Sequence, residues 1–197
     1  MRRCSGDQCQ NPTRPEMGFN IGVTALALYA FLEAGYGPGD PTYGRVVRRA
    51  VEWLKSKQQD TGWFARPKSG GIVWSRAWFY NHAFATLVLC RVATLRKDEA
   101  LLRVCERAVS RLLVAQNDDG GWGYGPRSRS DIDVTALALE ALLWAEKAGI
   151  DFPKKTVRNA ARKFVLSCRS GDRILYRPKV ETGSLREGVN SEHKKTP

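Results

Sequence analysis

The chain has 197 residues, 43% of them hydrophobic, and a formal net charge of +12. That length suits one domain with a packed core, and without a run of about 18 uncharged apolar residues no transmembrane helix is expected. The positive balance raises nucleic acid or an anionic membrane as partners. However, Arg48, Arg49, Lys55, Arg158 and Lys163 fall on polar faces of amphipathic segments, the usual place for solvated charge. No specific nucleic-acid site is expected.

Residues 1–17 mix Cys, Ser, Gly, Gln, Asn and Pro without a hydrophobic period and read as a disordered leader. No signal-peptide core follows Arg2-Arg3, so a cytoplasmic location is expected. A repeat domain is placed at 18–180 and a flexible polar tail at 181–197. Asn20 is a candidate N-cap. From Ile21 to Ala34 the residues are apolar on every side, which predicts a helix buried all round. Gly35 stops it, and Gly37-Pro38-Gly39-Asp40-Pro41 turns the chain.

The next helix, Thr42 to Lys57, carries Val47, Ala50, Val51 and Leu54 on one face and Arg48, Arg49, Glu52 and Lys55 opposite, the pattern of a surface helix. Gln58 to Trp63 and a loop to Gly70-Gly71 lead to a mainly apolar helix, Trp78 to Leu95. A second amphipathic helix, Leu101 to Ala115, repeats the stripe at Cys105, Ala108, Val109 and Leu112, an offset of 58. Then comes Gln116-Asn117-Asp118-Asp119-Gly120-Gly121-Trp122: an amide at a helix end, glycines that turn the chain, and an indole that folds back. The third apolar helix, Asp131 to Ala148, repeats Val23-Thr24-Ala25-Leu26-Ala27-Leu28 as Val134 to Leu139, an offset of 111. The third amphipathic helix, Lys154 to Cys168, shows Val157, Ala160, Ala161 and Phe164. Gly171 to Pro178 then follows Gly120 to Pro126 at a spacing of 52 but lacks the Trp.

Recurrence of this kind predicts a helical repeat array. The expected fold is all-α: about three helical hairpins forming an α/α toroid or partial toroid, with apolar helices inside and amphipathic helices outside. Gln58, Gly62 and Trp63, and likewise Gln116, Gly120 and Trp122, are read as repeat-motif residues that lock adjacent hairpins. The amide reaches backbone groups at a helix end and the indole packs beneath. An open arc leaves inner helices with uncovered flanks, so self-association is expected.

The pattern resembles the repeats of the terpenoid cyclase and protein prenyltransferase superfamily, whose fold is an α/α toroid. Gln116 to Trp122 matches the squalene cyclase Gln-Trp motif fully, and Gln58 to Trp63 matches it one residue short. Cys168 to Ile174 has lost the defining residues. The stretch from Tyr80-Asn81-His82-Ala83 to Val134-Thr135 looks like the prenyltransferase/squalene-oxidase repeat proteins abundant in planctomycete-type bacteria. A complete ring in this superfamily needs more than three hairpins, which implies a fragment, an open arc, or closure by self-association.

Asp131-Ile132-Asp133-Val134-Thr135-Ala136 opens the third apolar helix. Class II terpene cyclases carry Asp-x-Asp-Asp-Thr-Ala, whose middle Asp protonates an alkene or epoxide. The resemblance thus makes Asp133 the acid and Asp131 its partner, with Val134 in place of the third carboxyl. Read from the residues alone, Asp131 caps the helix and Asp133 sits in its first turn, where the helix N-terminus favours the anion and lowers the pKa.

Protein prenyltransferases bind zinc through Asp-x-Cys and a later His, which sets Asp131, Asp133 and His82 side by side in comparison. Two carboxylates and one distant His make a poor zinc set. Cys90, Cys105 and Cys168 read as buried thiols, while Cys4 and Cys9 lie in the leader. No metal and no cofactor are expected. His82 either hydrogen-bonds across the helix packing or faces the cavity. Trp74, Trp78, Phe79, Tyr80 and Phe84 either line a cavity for an isoprenoid or sugar or pack the core, so His82, Tyr80, Trp78 and Phe84 are the ligand-contact candidates. The expected function is a binding or scaffolding module, without its own catalysis, that holds an apolar or isoprenoid ligand or a protein partner on a concave inner face. The alternatives are a terpene-cyclase-like isomerase using Asp133 as general acid, and a glycan-binding or glycan-cleaving toroid.

Overall fold

The computed structural model describes residues 20–64, 77–96, 98–125 and 128–179. The expected leader and tail, with Cys4, Cys9, Gly70-Gly71 and Trp74, lie outside the described residues. Those described form α1 (Asn20–Glu33), α2 (Gly44–Ser56), α3 (Ala77–Leu95), α4 (Glu99–Val114), α5 (Ile132–Lys147) and α6 (Lys154–Ser167). A two-residue hairpin follows, β1 (Arg169–Ser170) antiparallel to β2 (Arg173–Ile174).

The apolar helices α1, α3 and α5 stand side by side with α3 in the middle. They run parallel. Near their starts, Gly22 N donates to Asn81 Oδ1 at 2.9 Å. Near their ends, Arg91 pairs with Glu33 and donates to the Leu32 carbonyl. The amphipathic helices cover the other side, each burying one stripe: Val47, Val51 and Leu54 on α2; Cys105, Ala108 and Leu112 on α4; Val157, Ala161 and Phe164 on α6. Wholly apolar helices need neighbours on several sides, whereas half-apolar ones need one; the layer order follows. The described residues form an all-α arc of three helical hairpins with one continuous core.

Helix α3, with a neighbour on each side, is buried nearly all round. Helix α1 departs from the sequence expectation of complete burial: Val23 is 64% and Leu26 53% exposed. Among the described elements only α2 and α3 pack on it extensively, so one apolar flank stays open.

The Gln turns join the hairpins. Gln116 Nε2 donates to Gly120 O within its own turn and to Val157 O on α6, at 2.9 and 3.3 Å. Gln58 Nε2 likewise donates to Gly62 O and to Val104 O on α4. Gly120 and Gly62 have φ of +87° and +88°, and a Cβ at Gly120 would overlap the Ala160 carbonyl of α6. The Trp122 indole is fully buried and its Nε1 donates to Leu112 O at 2.7 Å.

The residue at Trp122's place in the first turn is Phe64, not Trp63. Gln59 N bonds Trp63 O just as Asn117 N bonds Gly121 O, and Phe64 is fully buried as Trp122 is. Trp63 occupies the Gly121 position and lies against Trp78 and the His82 ring.

Candidate functional site

The start of α5 gathers groups from three parts of the chain. Asp131 is the N-cap; its Oδ1 accepts from Val134 N at 3.0 Å. A single Trp122–Asp131 bridge ties the second Gln turn to the start of α5, with Asp131 N donating to Trp122 O. From the third turn, Tyr176 O accepts from Ile132 N, and the Tyr124 and Tyr176 hydroxyls hydrogen-bond at 2.7 Å. Tyr80 of α3 completes the group, its ring 5.6 Å from that of Tyr124.

Asp131 is fully buried. Its Oδ2 has no hydrogen-bond partner among the described residues, and the nearest cation, Arg177 NH2, is 3.9 Å away. Burial pushes the carboxyl above its usual range, against the pull of the Val134 amide, the nearby Tyr176 hydroxyl and the Arg177 guanidinium; Asp133 adds to the rise. The expectation of a lowered pKa is therefore corrected. The cap acts in the expected direction, but loss of water outweighs it. Asp133 is exposed in the first turn of α5. Burial, followed by Tyr124, holds the Tyr80 hydroxyl well above the usual tyrosine pKa, with smaller contributions from Asp131 and Asp133.

His82 is fully buried with both ring nitrogens engaged: Nδ1 accepts from Phe64 N and Nε2 donates to Ala108 O, both at 3.1 Å. Burial lowers its pKa to about 3, so it is a neutral tie from α3 to the first turn and to α4. That occupancy leaves no nitrogen for a ligand. Trp78 is buried between Trp63 and Phe79. Tyr80 and Phe84, by contrast, stack on one half-buried face of α3, opposite His82.

That face is the concave one. Further along it, the Arg91 guanidinium lies over both Tyr29 of α1 and Trp144 of α5, and Tyr29 donates to Glu140 at 3.1 Å across the front of α3. A groove of about 850 Å³ opens at the C-terminal ends of the inner helices, lined by Leu32, Arg48, Arg91, Leu95 and Trp144 among others but not by Asp131 or Asp133. Its Arg48 and Arg91 are already bonded to Pro38 O and Glu33.

Cys90 and Cys105 sit together between α3 and α4. The Cys105 sulfur and burial push the Cys90 thiol well above its usual range, which keeps it protonated and unreactive. Among the described residues no group of three or more His, Cys, Asp or Glu side chains is placed to hold a metal, and no helix is long and apolar enough to cross a membrane. Tyr124, Tyr176 and Arg177 were not site candidates from sequence. The signal was present, since the spacing of 52 that aligns the second and third turns pairs Tyr124 with Tyr176.

Parallel apolar helices inside, amphipathic helices outside and forward-reaching Gln turns define a helical-hairpin repeat protein of the terpenoid cyclase type. The chain belongs to the squalene-hopene cyclase C-terminal domain family, whose model matches residues 23–148. It is 34% identical over 130 residues to the drimenyl diphosphate synthase of Streptomyces showdoensis, covering 65% of this chain and 22% of that protein. It is 30% identical over 107 residues to the squalene–hopene cyclase of Zymomonas mobilis, covering 52% and 14%. A terpentedienyl-diphosphate synthase of Kitasatospora griseola matches at 30% over 112 residues, covering 56% and 20%. The chain thus spans about a fifth or less of the length of these relatives.

Proposed function

We propose that this arc binds an isoprenoid chain on its concave face and does not itself protonate it. The names of the cyclase relatives supply the ligand class. The stacked Tyr80 and Phe84 offer a half-buried aromatic face to an apolar chain. The observation that carries the non-catalytic part is Val134. It stands where the cyclase motif has its third carboxyl, and it is fully buried in the apolar core. Asp133 therefore lacks the neighbour that a strong alkene acid relies on, while the other carboxyl, Asp131, is engaged as a helix cap.

The test pairs binding with turnover. Native mass spectrometry with squalene and with farnesyl diphosphate is expected to show a complex that Tyr80→Ala and Phe84→Ala each weaken several-fold, with no cyclised product. Failure to bind either compound overturns the binding reading. A cyclised product that Asp133→Asn abolishes overturns the non-catalytic one. One observation favours a second reading, a cyclase acid at Asp131: burial raises the pKa of its carboxyl, and among the described residues its Oδ2 accepts no hydrogen bond, with only Arg177 at 3.9 Å. On that reading Asp131→Asn, rather than Asp133→Asn, removes turnover.

A further inference from the structure

The two end helices of the inner layer share a six-residue stretch in different surroundings, and the difference shows which flank of each is covered. Val23 and Leu26 of α1 correspond to Val134 and Leu137 of α5 at the offset of 111. On α5 these positions are 0% and 8% exposed; on α1 they are 64% and 53% exposed. Among the described residues a preceding hairpin, α3 and α4, packs on α5, and none packs on α1. The reverse holds on the other flank. Leu32 of α1 is 5% exposed, whereas its counterpart Leu143 is 42% exposed. Ala25 is buried and its counterpart Ala136 exposed. Among the described residues a following inner helix, α3, packs on α1, and none packs on α5.

The outer layer agrees. Val46 of α2 is 50% exposed, while its counterpart Val104 of α4 is 8% exposed and lies under the first Gln turn. The open flank of α1 thus carries the same Val and Leu that α5 presents to its predecessor. The open flank of α5 keeps the Ala and Leu that α1 presents to its successor, at Ala136 and Leu143, but has Asp133 where α1 has Gly22, whose N–H meets Asn81 of α3.

We infer that these flanks join one copy of this chain to the next, head to tail, with α5 of one protomer against α1 of its partner. The joint keeps the side-by-side order the chain already makes twice, α1 on α3 and α3 on α5, with the shared Val, Ala and Leu positions at the seam. It pairs unlike surfaces, and such contacts close into a ring or run on as a filament according to the turn per copy. The hydrogen bond from Tyr29 to Glu140 across α3 shows that the arc curves tightly over three inner helices. The joint is weaker than the internal ones. In the third turn Cys168 and the β1–β2 hairpin stand where a Gln would reach for the next outer helix, so only the apolar flanks hold it.

Sedimentation velocity in reducing buffer, which keeps Cys4 and Cys9 from forming a disulfide, tests the inference on the full chain. The unaltered chain is expected to associate at tens of micromolar, and Leu26→Glu and Leu143→Glu each to be monomeric. Both sites face solvent in the protomer, so helix content and melting temperature should stay unchanged; the milder Val23→Ser replaces Leu26→Glu if that variant melts early. Mixing the two monomeric variants should restore a dimer, because one joint in the mixture has two unaltered faces. A monomeric unaltered chain, an oligomer indifferent to both substitutions, or a mixture that stays monomeric would each overturn the inference. The last outcome would indicate contact between like faces.

Discussion

Gly120→Ala separates two penalties that usually arrive together. Gly120 has φ of +87°, and a Cβ there would overlap the carbonyl oxygen and carbon of Ala160 on α6. Gly149 has the same φ but nothing within reach of an added Cβ. Holding an alanine in the left-handed region costs about 1–2 kcal/mol at either site. Forcing a methyl against backbone that cannot rotate away adds about 1–3 kcal/mol at Gly120 alone. The expected loss is therefore about 2–5 kcal/mol for Gly120→Ala and about 1–2 kcal/mol for Gly149→Ala. Urea unfolding followed by circular dichroism resolves the two. With a slope of about 1–3 kcal/mol per molar, their midpoints should differ by several tenths of a molar to over one molar. Equal midpoints at equal slope would refute the reasoning, because the close approach of the second turn to α6 would then carry no energy.

Two further outcomes follow from the buried titratable groups. His82 is held neutral with a folded pKa of about 3 against about 6.5 when unfolded, so only the unfolded chain takes its proton between those values. That stability is fully present above pH 6.5 and drains as pH falls toward 3. Between pH 6 and 4 the unaltered chain should lose about 2–3 kcal/mol that His82→Gln does not, and identical pH profiles in chemical unfolding would contradict it. Asp131 runs the opposite way. Its raised folded pKa makes it stabilising below its unfolded pKa, with that contribution lost as pH rises through the folded value. Asp131→Asn keeps an N-cap acceptor and should be no less stable than the unaltered chain at pH 7, whereas Asp131→Ala should lose about 1 kcal/mol. Equal losses for the two variants, measured by melting temperature, would count against a buried charge at that site.

Much of the fold was legible because burial demand is written in residue type. The runs Val23–Leu28, Ala83–Leu89 and Val134–Leu139 carry no charged residue and a single Thr each, so they call for protein on several sides, while the stripes at Val47, Cys105 and Val157 call for it on one. Burial itself was harder to read: α1 and α5 share a hexapeptide yet differ in exposure, since exposure depends on which neighbours are present. The first turn misled for another reason. Matching indole to indole selected Trp63, but the backbone bonds of the turn put Phe64 in the Trp122 position. His82 illustrates a choice that sequence left open; its two nitrogens meet partners 18 and 26 residues away, which no local pattern announces. The Asp131 pKa turned on the same blindness, because the cap was visible in sequence and the cover provided by the third turn was not.

The amide clamps of the Gln turns point one way along the chain. Gln58 holds the outer helix that follows it, and Gln116 does the same one unit later. The middle hairpin therefore carries both parts, Gln116 as the grip for its successor and the Val104 carbonyl as the handhold for its predecessor. Duplicating such a unit in a gene creates a ready-made joint on both sides, and excising one lets its two neighbours meet through parts they already own. Families built this way can drift in length by whole units while the local geometry at every seam stays the same.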